Sequence, residues 1–236
     1  MVDSAPMSDA PSPVPASASA PRPAVTCIVT GAYRENAYLV TDGAGAAAIV
    51  DPGEDAPLLL GALRASGSRL AAVLLTHGHL DHIAALPALL AAAPAPVHAA
   101  AADAAWCFSA RNALEPYEPI LAPPPDLAAD LAEGAAIPVG RLRFRVLATP
   151  GHSPGSVCFL LAGAPGEPAT LFAGDTLFAG SIGRTDFEGG DDAAMAASLR
   201  RLASLPPATR VLSGHGPATT IGRELRVNPY LAAAVR

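Results

Sequence analysis

Four strand-like runs in this chain each end on a histidine or an aspartate, and that repetition narrows what it can fold into. Ala71-Ala72-Val73-Leu74-Leu75 leads into Thr76-His77-Gly78-His79-Leu80-Asp81-His82, which packs three of the six histidines and an aspartate into six residues. Leu142 to Leu147 alternates with period two, as a half-buried strand does, and passes through Ala148-Thr149-Pro150-Gly151 to His152. Ala169 to Gly174 ends at Asp175, and Arg210 to Gly214 ends at His215. Functional side chains in α/β architectures gather in loops at strand ends. If the runs align in one layered sheet structure, five histidines and two aspartates share an edge.

These residue types point to metal. Neutral imidazole nitrogens and carboxylate oxygens are the usual protein donors to zinc and similar divalent ions. His77 and His79 lie two apart and project together if extended geometry persists past Thr76. Asp81 and His82 fall where the chain turns into the helical-looking segment Ile83 to Ala93, so they face a second position beside the first. Two adjacent metals are expected. A polar loop with incidental histidines in this order arises in on the order of one chain in several thousand. His98 has no such neighbours and reads as structural or surface. Asp51, which ends the run Ala46 to Val50, reads as a turn residue or as an acceptor that orients a ligating histidine.

In their order and strand context, His77, His79, Asp81, His82, His152, Asp175 and His215 closely resemble the metal-binding signature of the metallo-β-lactamase superfamily. The similarity runs from about Val25 to the C-terminus. Asn36-Ala-Tyr-Leu39, Asp51-Pro-Gly53, Thr149-Pro-Gly-His-Ser-Pro-Gly155 and Gly174 to Phe187 resemble the branch that contains glyoxalase II, or hydroxyacylglutathione hydrolase, in its short single-domain form. That resemblance implies an α/β fold, a four-layer αββα sandwich of two mixed β-sheets flanked by helices, with a binuclear site on one rim. Carried over by position, the first metal takes His77, His79 and His152, the second takes Asp81, His82 and His215, and Asp175 bridges both. The two carboxylates, Asp81 and Asp175, are the catalytic assignment. An all-nitrogen-and-oxygen shell accepts iron or manganese as well as zinc, the first expectation.

Two divalent ions held about 3.5 Å apart lower the pKa of a shared water toward ~7 and supply hydroxide at neutral pH. The implied activity is hydrolysis of a small-molecule acyl-thioester, a glutathione conjugate such as lactoylglutathione. Three alternatives stand beside it: a one-iron persulfide dioxygenase of the same superfamily, whose Gly-Arg-Thr-Asp-Phe segment resembles Gly183 to Phe187; a hydrolase of another ester, lactone or β-lactam; and a noncatalytic metal-stabilised binding module. The chain departs from full-length glyoxalase II in three ways. Only Gly216 to Arg236 follow the last ligand, where that enzyme has a helical domain; Ala84 and Ala85 replace a customary glycine; and lysine is absent, all fifteen basic residues being arginine. Arg184 or Arg223 is the expected substitute for a substrate-binding lysine. Arg184 and Asp186 are also placed to brace each other. Tyr38 and Tyr117 either line a pocket or fill core.

Residues 1–24, rich in Pro, Ala and Ser with Asp3 and Asp9 where a secretory signal would be basic, read as a disordered tail preceding one domain over residues 25–236. The uncharged stretch Ile83 to Ala102 is interrupted by Pro87, Pro94 and Pro96 and is no membrane span. Three cysteines without paired spacing fit a reducing cytoplasm. The lack of lysine excludes Schiff-base and Walker-type chemistry, and a net charge of -6 disfavours nucleic acid. Gly151-His-Ser-Pro-Gly155 has the letters of a serine nucleophile elbow, but a proline after the serine suits that turn poorly. Asp191-Asp192 begins a helix expected to reach Leu205, with Met195, Leu199 and Leu202 facing a sheet.

Overall fold

Period-two alternation divides the side chains of each strand between two different cores, and four layers follow from that division. The structure, a computed structural model, describes residues 22–112 and 120–236; most of the expected tail, and Tyr117, lie outside them. The first sheet runs in spatial order β1 (Ala24–Thr30), β2 (Glu35–Thr41), β3 (Ala46–Val50), β4 (Arg69–Leu74), β5 (Val97–His98) and β6 (Leu127–Ala128). The second comprises β7 (Ala136–Val139), β8 (Leu142–Ala148), β9 (Val157–Leu161), β10 (Thr170–Gly174), β11 (Arg210–Ser213) and β12 (Thr219–Thr220), again in sequence order across the sheet.

Between the sheets, Tyr38, Val40, Val50 and Leu74 meet Phe144, Phe159, Phe172 and Leu212. The rings of Phe144 and Phe159 cross edge to face with centroids 6.4 Å apart, and Tyr38 meets Phe172 at 5.5 Å. Burying each phenylalanine contributes roughly 1.5–3 kcal/mol, the edge-to-face geometry up to about 1.5 more. The alternate residues point outward. Leu39, Ile49 and Val73 pack under helices α1 (Ala56–Ala65), α2 (Leu80–Ile83) and α3 (Leu86–Ala92), near the short α4 (Ala101–Ala104). On the far side Leu147, Leu171 and Val211 pack under α5 (Asp192–Ala203), α6 (Ile221–Val227) and α7 (Pro229–Ala234). The expected αββα sandwich is therefore observed.

α5 starts where expected, with the Asp191 side chain accepting from the N–H of Ala194, and buries Met195, Leu199 and Leu202. The single helix expected from Ile83 to Ala93 is instead two. Pro87 has no N–H with which to continue the ladder, and the N–H of Ala85 turns to the carbonyl of Gly53, 2.6 Å away. The first turn also begins earlier than expected, so Asp81 and His82 both sit on α2.

Strand direction places the site. β3, β4 and β5 are parallel, and β8, β10 and β11 share one direction because β9 runs antiparallel between β8 and β10. Their C-terminal ends meet at one rim, stitched across the sheets by Val157 N–H to the Thr76 carbonyl at 2.8 Å and Asn36 N–H to the Gly214 carbonyl at 2.7 Å. Among the described residues, no helix is long and apolar enough to cross a membrane.

Candidate metal centre

At that rim all seven expected donors converge. One nitrogen from each of His77, His79 and His152 lies within 4.8 Å of the others, and Asp81, His82 and His215 form a second group by the same measure. The two sets adjoin: the His77 and His82 rings are 4.1 Å apart, centre to centre. Asp175 stands between them, its Oδ2 3.6 Å from Nε2 of His152 and 3.6 Å from Nε2 of His215. Such an approach requires glycine at 214, where a Cβ would lie 2.3 Å from Asp175 Oδ1 and 2.6 Å from His82 Cε1.

The outward nitrogens are occupied, which fixes what the inward ones can do. Nδ1 of His152 faces the Arg184 carbonyl at 2.7 Å, and Nδ1 of His215 faces the Tyr33 carbonyl at 3.1 Å. A carbonyl only accepts, so each Nδ1 carries a proton, and in the neutral ring it is Nε2 that offers the lone pair. His82 Nδ1 lies 3.1 Å from Asp51 Oδ2, which imposes the same tautomer. For His77 the acceptor is the Thr76 hydroxyl at 3.1 Å, whose own proton goes to Asp51 at 2.6 Å. His79 instead presents Nδ1, 2.9 Å from Nε2 of His152.

The site also contains an imbalance that a cation would correct. His77 Nε2, His82 Nε2 and Asp175 Oδ1 are buried and have no hydrogen-bond partner. Leaving such atoms unpaired costs about 1–3 kcal/mol each, more for a charged group. Their convergence, with lone pairs inward, fits divalent metal. Burial holds His77 well below the ordinary histidine pKa and, with neighbouring rings, pushes His79 down to about 3, so both are neutral as ligands must be. Burial opposes charge on His82 as well, but Asp81, Asp175 and Asp51 outweigh it and raise its pKa well above the ordinary value, a surplus of negative charge that a cation at Nε2 would take up in place of a proton. Burial likewise works against ionised Asp81, yet His82 and His215 keep it below the usual carboxylate range. Glu35 is different: burial, reinforced by Asp51 and Asp81, raises it well above its ordinary value, and the Thr30 hydroxyl donates to its Oε2 at 3.0 Å.

A cavity of about 610 Å³ opens over the donors. Trp106, Phe187 and Phe178 form its walls, with ring centres 5.6 and 5.4 Å from His79 and 6.2 Å from His215 respectively. Arg184 and Arg111 sit at its exposed margin. Arg184 braces Asp186 through two hydrogen bonds, at 2.8 and 2.9 Å, as expected, and also lies 4.3 Å over the Phe187 ring. Arg111, unforeseen in the sequence, pairs with Glu188 at 2.6 Å. Arg223 binds Glu224 at 2.8 Å and takes no part in lining the cavity, so that expectation fails. Tyr38 fills core and donates to the Ser213 carbonyl at 2.6 Å. His98 lies apart on β5 against Asp130, and Ser153 is buried, not presented as a nucleophile. The three cysteines are free thiols.

Two mixed sheets carrying these donors on one rim define a metal-binding hydrolase scaffold, and the chain belongs to the metallo-β-lactamase superfamily, whose sequence pattern it matches over residues 30–215. Its homologues include proteins of the glyoxalase II type. Hydroxyacylglutathione hydrolase GloC of Haemophilus influenzae is 34% identical over 214 residues, which is 88% of this chain and 97% of that protein. A hydroxyacylglutathione hydrolase of Fuscovulum blasticum is 43% identical over 76% of this chain and 61% of its own length. Among solved structures, BLEG-1 B3 metallo-β-lactamase superposes with a TM-score of 0.78 at 37% identity, covering 88% of this chain and 99% of that one. TTHA1623 in a di-iron-bound form gives 0.72 at 40%, covering 87% and 100%. ETHE1 from Myxococcus xanthus gives 0.72 at 30%, covering 89% and 85%.

Proposed function

We propose that residues 25–236 form one catalytic domain that uses two divalent metal ions to hydrolyse a small acyl-thioester of an anionic thiol, with lactoylglutathione as the representative substrate. The observation that carries the reading is the pair of donor trios meeting at Asp175. His77, His79 and His152 would hold one ion and Asp81, His82 and His215 the other, with Asp175 shared; zinc is the first choice, and the bound pair would supply Lewis acidity and hydroxide at neutral pH. Iron is supported by the di-iron form of TTHA1623.

The chain's own groups do the rest. Asp51, Thr76 and the carbonyls of Arg184 and Tyr33 keep four imidazoles in the tautomer that aims Nε2 at the reacting centre. The carboxylates of Asp81 and Asp175 would offset positive charge there and orient the water. Trp106, Phe178 and Phe187 exclude bulk water around the acyl group, which strengthens each electrostatic contact. Arg111 and Arg184 attract the carboxylates of the thiol portion.

The one-iron dioxygenase reading needs two histidines and one aspartate. The second trio would then have no use, which favours the hydrolase. Measuring metal content and lactoylglutathione hydrolysis on one purified sample separates them. Two equivalents with turnover support the proposal; one iron with oxygen consumption overturns it. The 37% identity to BLEG-1 puts a β-lactam in the same substrate panel.

A further inference from the structure

Asp103 belongs to neither donor set, yet it touches the loops that carry the first one. It lies on α4 and is 1% exposed. Its Oδ2 accepts from the Gly78 N–H at 2.9 Å and the Ser153 hydroxyl at 2.7 Å; its Oδ1 accepts from the Gly155 N–H at 2.7 Å and Trp106 Nε1 at 3.3 Å. Gly78 sits between His77 and His79, and Ser153 directly follows His152. One carboxylate thus fastens together two loops that the chain keeps more than seventy residues apart, His79 to His152 being 73.

The rest of the segment reinforces this clamp. Asn112 Nδ2 donates to the Gly78 carbonyl at 2.8 Å and to the Cys107 carbonyl at 2.7 Å, so both sides of the Gly78 residue are held by residues of the 103–112 stretch. The approach is close: a Cβ on Gly155 would stand 2.7 Å from Asp103 Cγ. Every partner of Asp103 is a donor, and only a carboxylate offers acceptors on both oxygens.

The geometry points to Asp103 as the positioning residue for the His77, His79 and His152 trio: it sets the separation of the two loops so that three nitrogens meet, and through Trp106 it places the cavity wall against them. This rests on the metal reading of the site.

The chain's single tryptophan supplies the test, because Trp106 is 5.6 Å from the His79 ring. Metal-free full-length protein is titrated with Co(II), followed by tryptophan fluorescence and, independently, by competition with a chelator. Wild type should take two equivalents. Asp103→Asn keeps the shape but turns one acceptor into a donor. It should keep its far-ultraviolet circular dichroism and bind one equivalent about 10–100-fold more weakly, the other unchanged. Ser153→Ala, which removes one of the four donors, should weaken the same equivalent to a smaller extent. A folded Asp103→Asn that binds both equivalents like wild type overturns the inference, even if its metal-free form melts earlier, since that is only a structural staple. If Asp103→Asn does not fold, Ser153→Ala decides on the same criterion. A wild-type protein that takes up no Co(II) fails the metal reading itself, and that arm is read before either variant.

Discussion

The carboxylate of Asp51 accepts both the backbone N–H and the hydroxyl of Thr76, at 2.7 and 2.6 Å. Asp51 holds this position at a φ of 46°, a conformation uncommon for residues other than glycine. The contact determines chemistry two bonds away. With its proton committed to Asp51, the Thr76 oxygen can only accept from His77 Nδ1, which leaves the inward nitrogen of that ring free to bind metal.

Thr76→Val removes this relay at nearly constant volume. Metal affinity, measured by chelator competition, should fall about 10–100-fold, as it does when outer partners of ligating histidines are lost. The metal-free protein should lose about 1–3 kcal/mol, because Asp51 keeps a buried oxygen with one fewer donor. Thr76→Ser should restore both. Wild-type affinity in Thr76→Val would remove Asp51 and Thr76 from the account of the site.

What the sequence made legible is what lies close along the chain. Each donor lies within a few residues of the end of an apolar or alternating run, so β4, β8, β10 and β11 and the residues beyond their ends could be read locally, and the bracing of Asp186 by Arg184 spans only two positions. The break between α2 and α3 was less visible. Pro87 announces it, but the bond from Ala85 to the Gly53 carbonyl is tertiary. Asp103 and Arg111 gave no signal, because their roles depend on partners 25 to 77 residues distant. Trp106, the chain's single tryptophan, lies 27 positions from His79 along the chain, and only the fold brings the two rings together. Arg223 shows the converse: composition offers it beside Arg184 in place of a lysine, but the fold puts it outside the cavity lining.

Asp175→Ala should separate stability from function. In the metal-free protein Asp175 Oδ1 is buried without a hydrogen bond, its charge faced only by the His82 ring 3.5 Å away, so its removal should change the melting temperature of that form far less than it changes the metal-dependent gain. Wild type should gain stability from added Zn(II) in proportion to the logarithm of its concentration over the dissociation constant, whereas Asp175→Ala should gain far less. Turnover should vanish in Asp175→Ala and in His77→Ala. Full activity in either variant would refute the assigned site.

Glu224 ties α6 to the loop that follows Asp175, accepting from Gly180 N–H at 2.7 Å, Asn228 Nδ2 at 3.1 Å and Arg223 at 2.8 Å. Burial pushes its pKa up, but the donors around it, Thr219 first among them, outweigh burial and hold the carboxyl below the ordinary value of 4.5. A depressed folded-state pKa means stability that is fully present above 4.5 and is lost as pH falls through the folded value. Glu224→Gln turns an acceptor toward donors and should cost about 1–3 kcal/mol at pH 7. The gap in melting temperature between the two proteins should stay constant from neutral pH down to about pH 5 and narrow below it. A gap that widens on acidification would show that the wrong group had been identified.

Arg111 and Arg184 carry the cavity margin's positive charge, although each has an acidic neighbour and stands in solvent. Exposed pairs contribute about 0.2–1 kcal/mol, so Arg184→Ala or Arg111→Ala should raise KM for an anionic thioester only about 1.4- to fivefold, with kcat little changed. The increase should shrink as salt is added, because the interaction is screened over roughly 10 Å at 0.1 M ionic strength. Arg64→Ala, on the exposed side of α1, changes net charge equally and lies outside the cavity lining. Its KM should match wild type. An equal rise in Arg64→Ala would mean that overall charge steers the substrate, and the two arginines at the margin would lose their claim to recognise it.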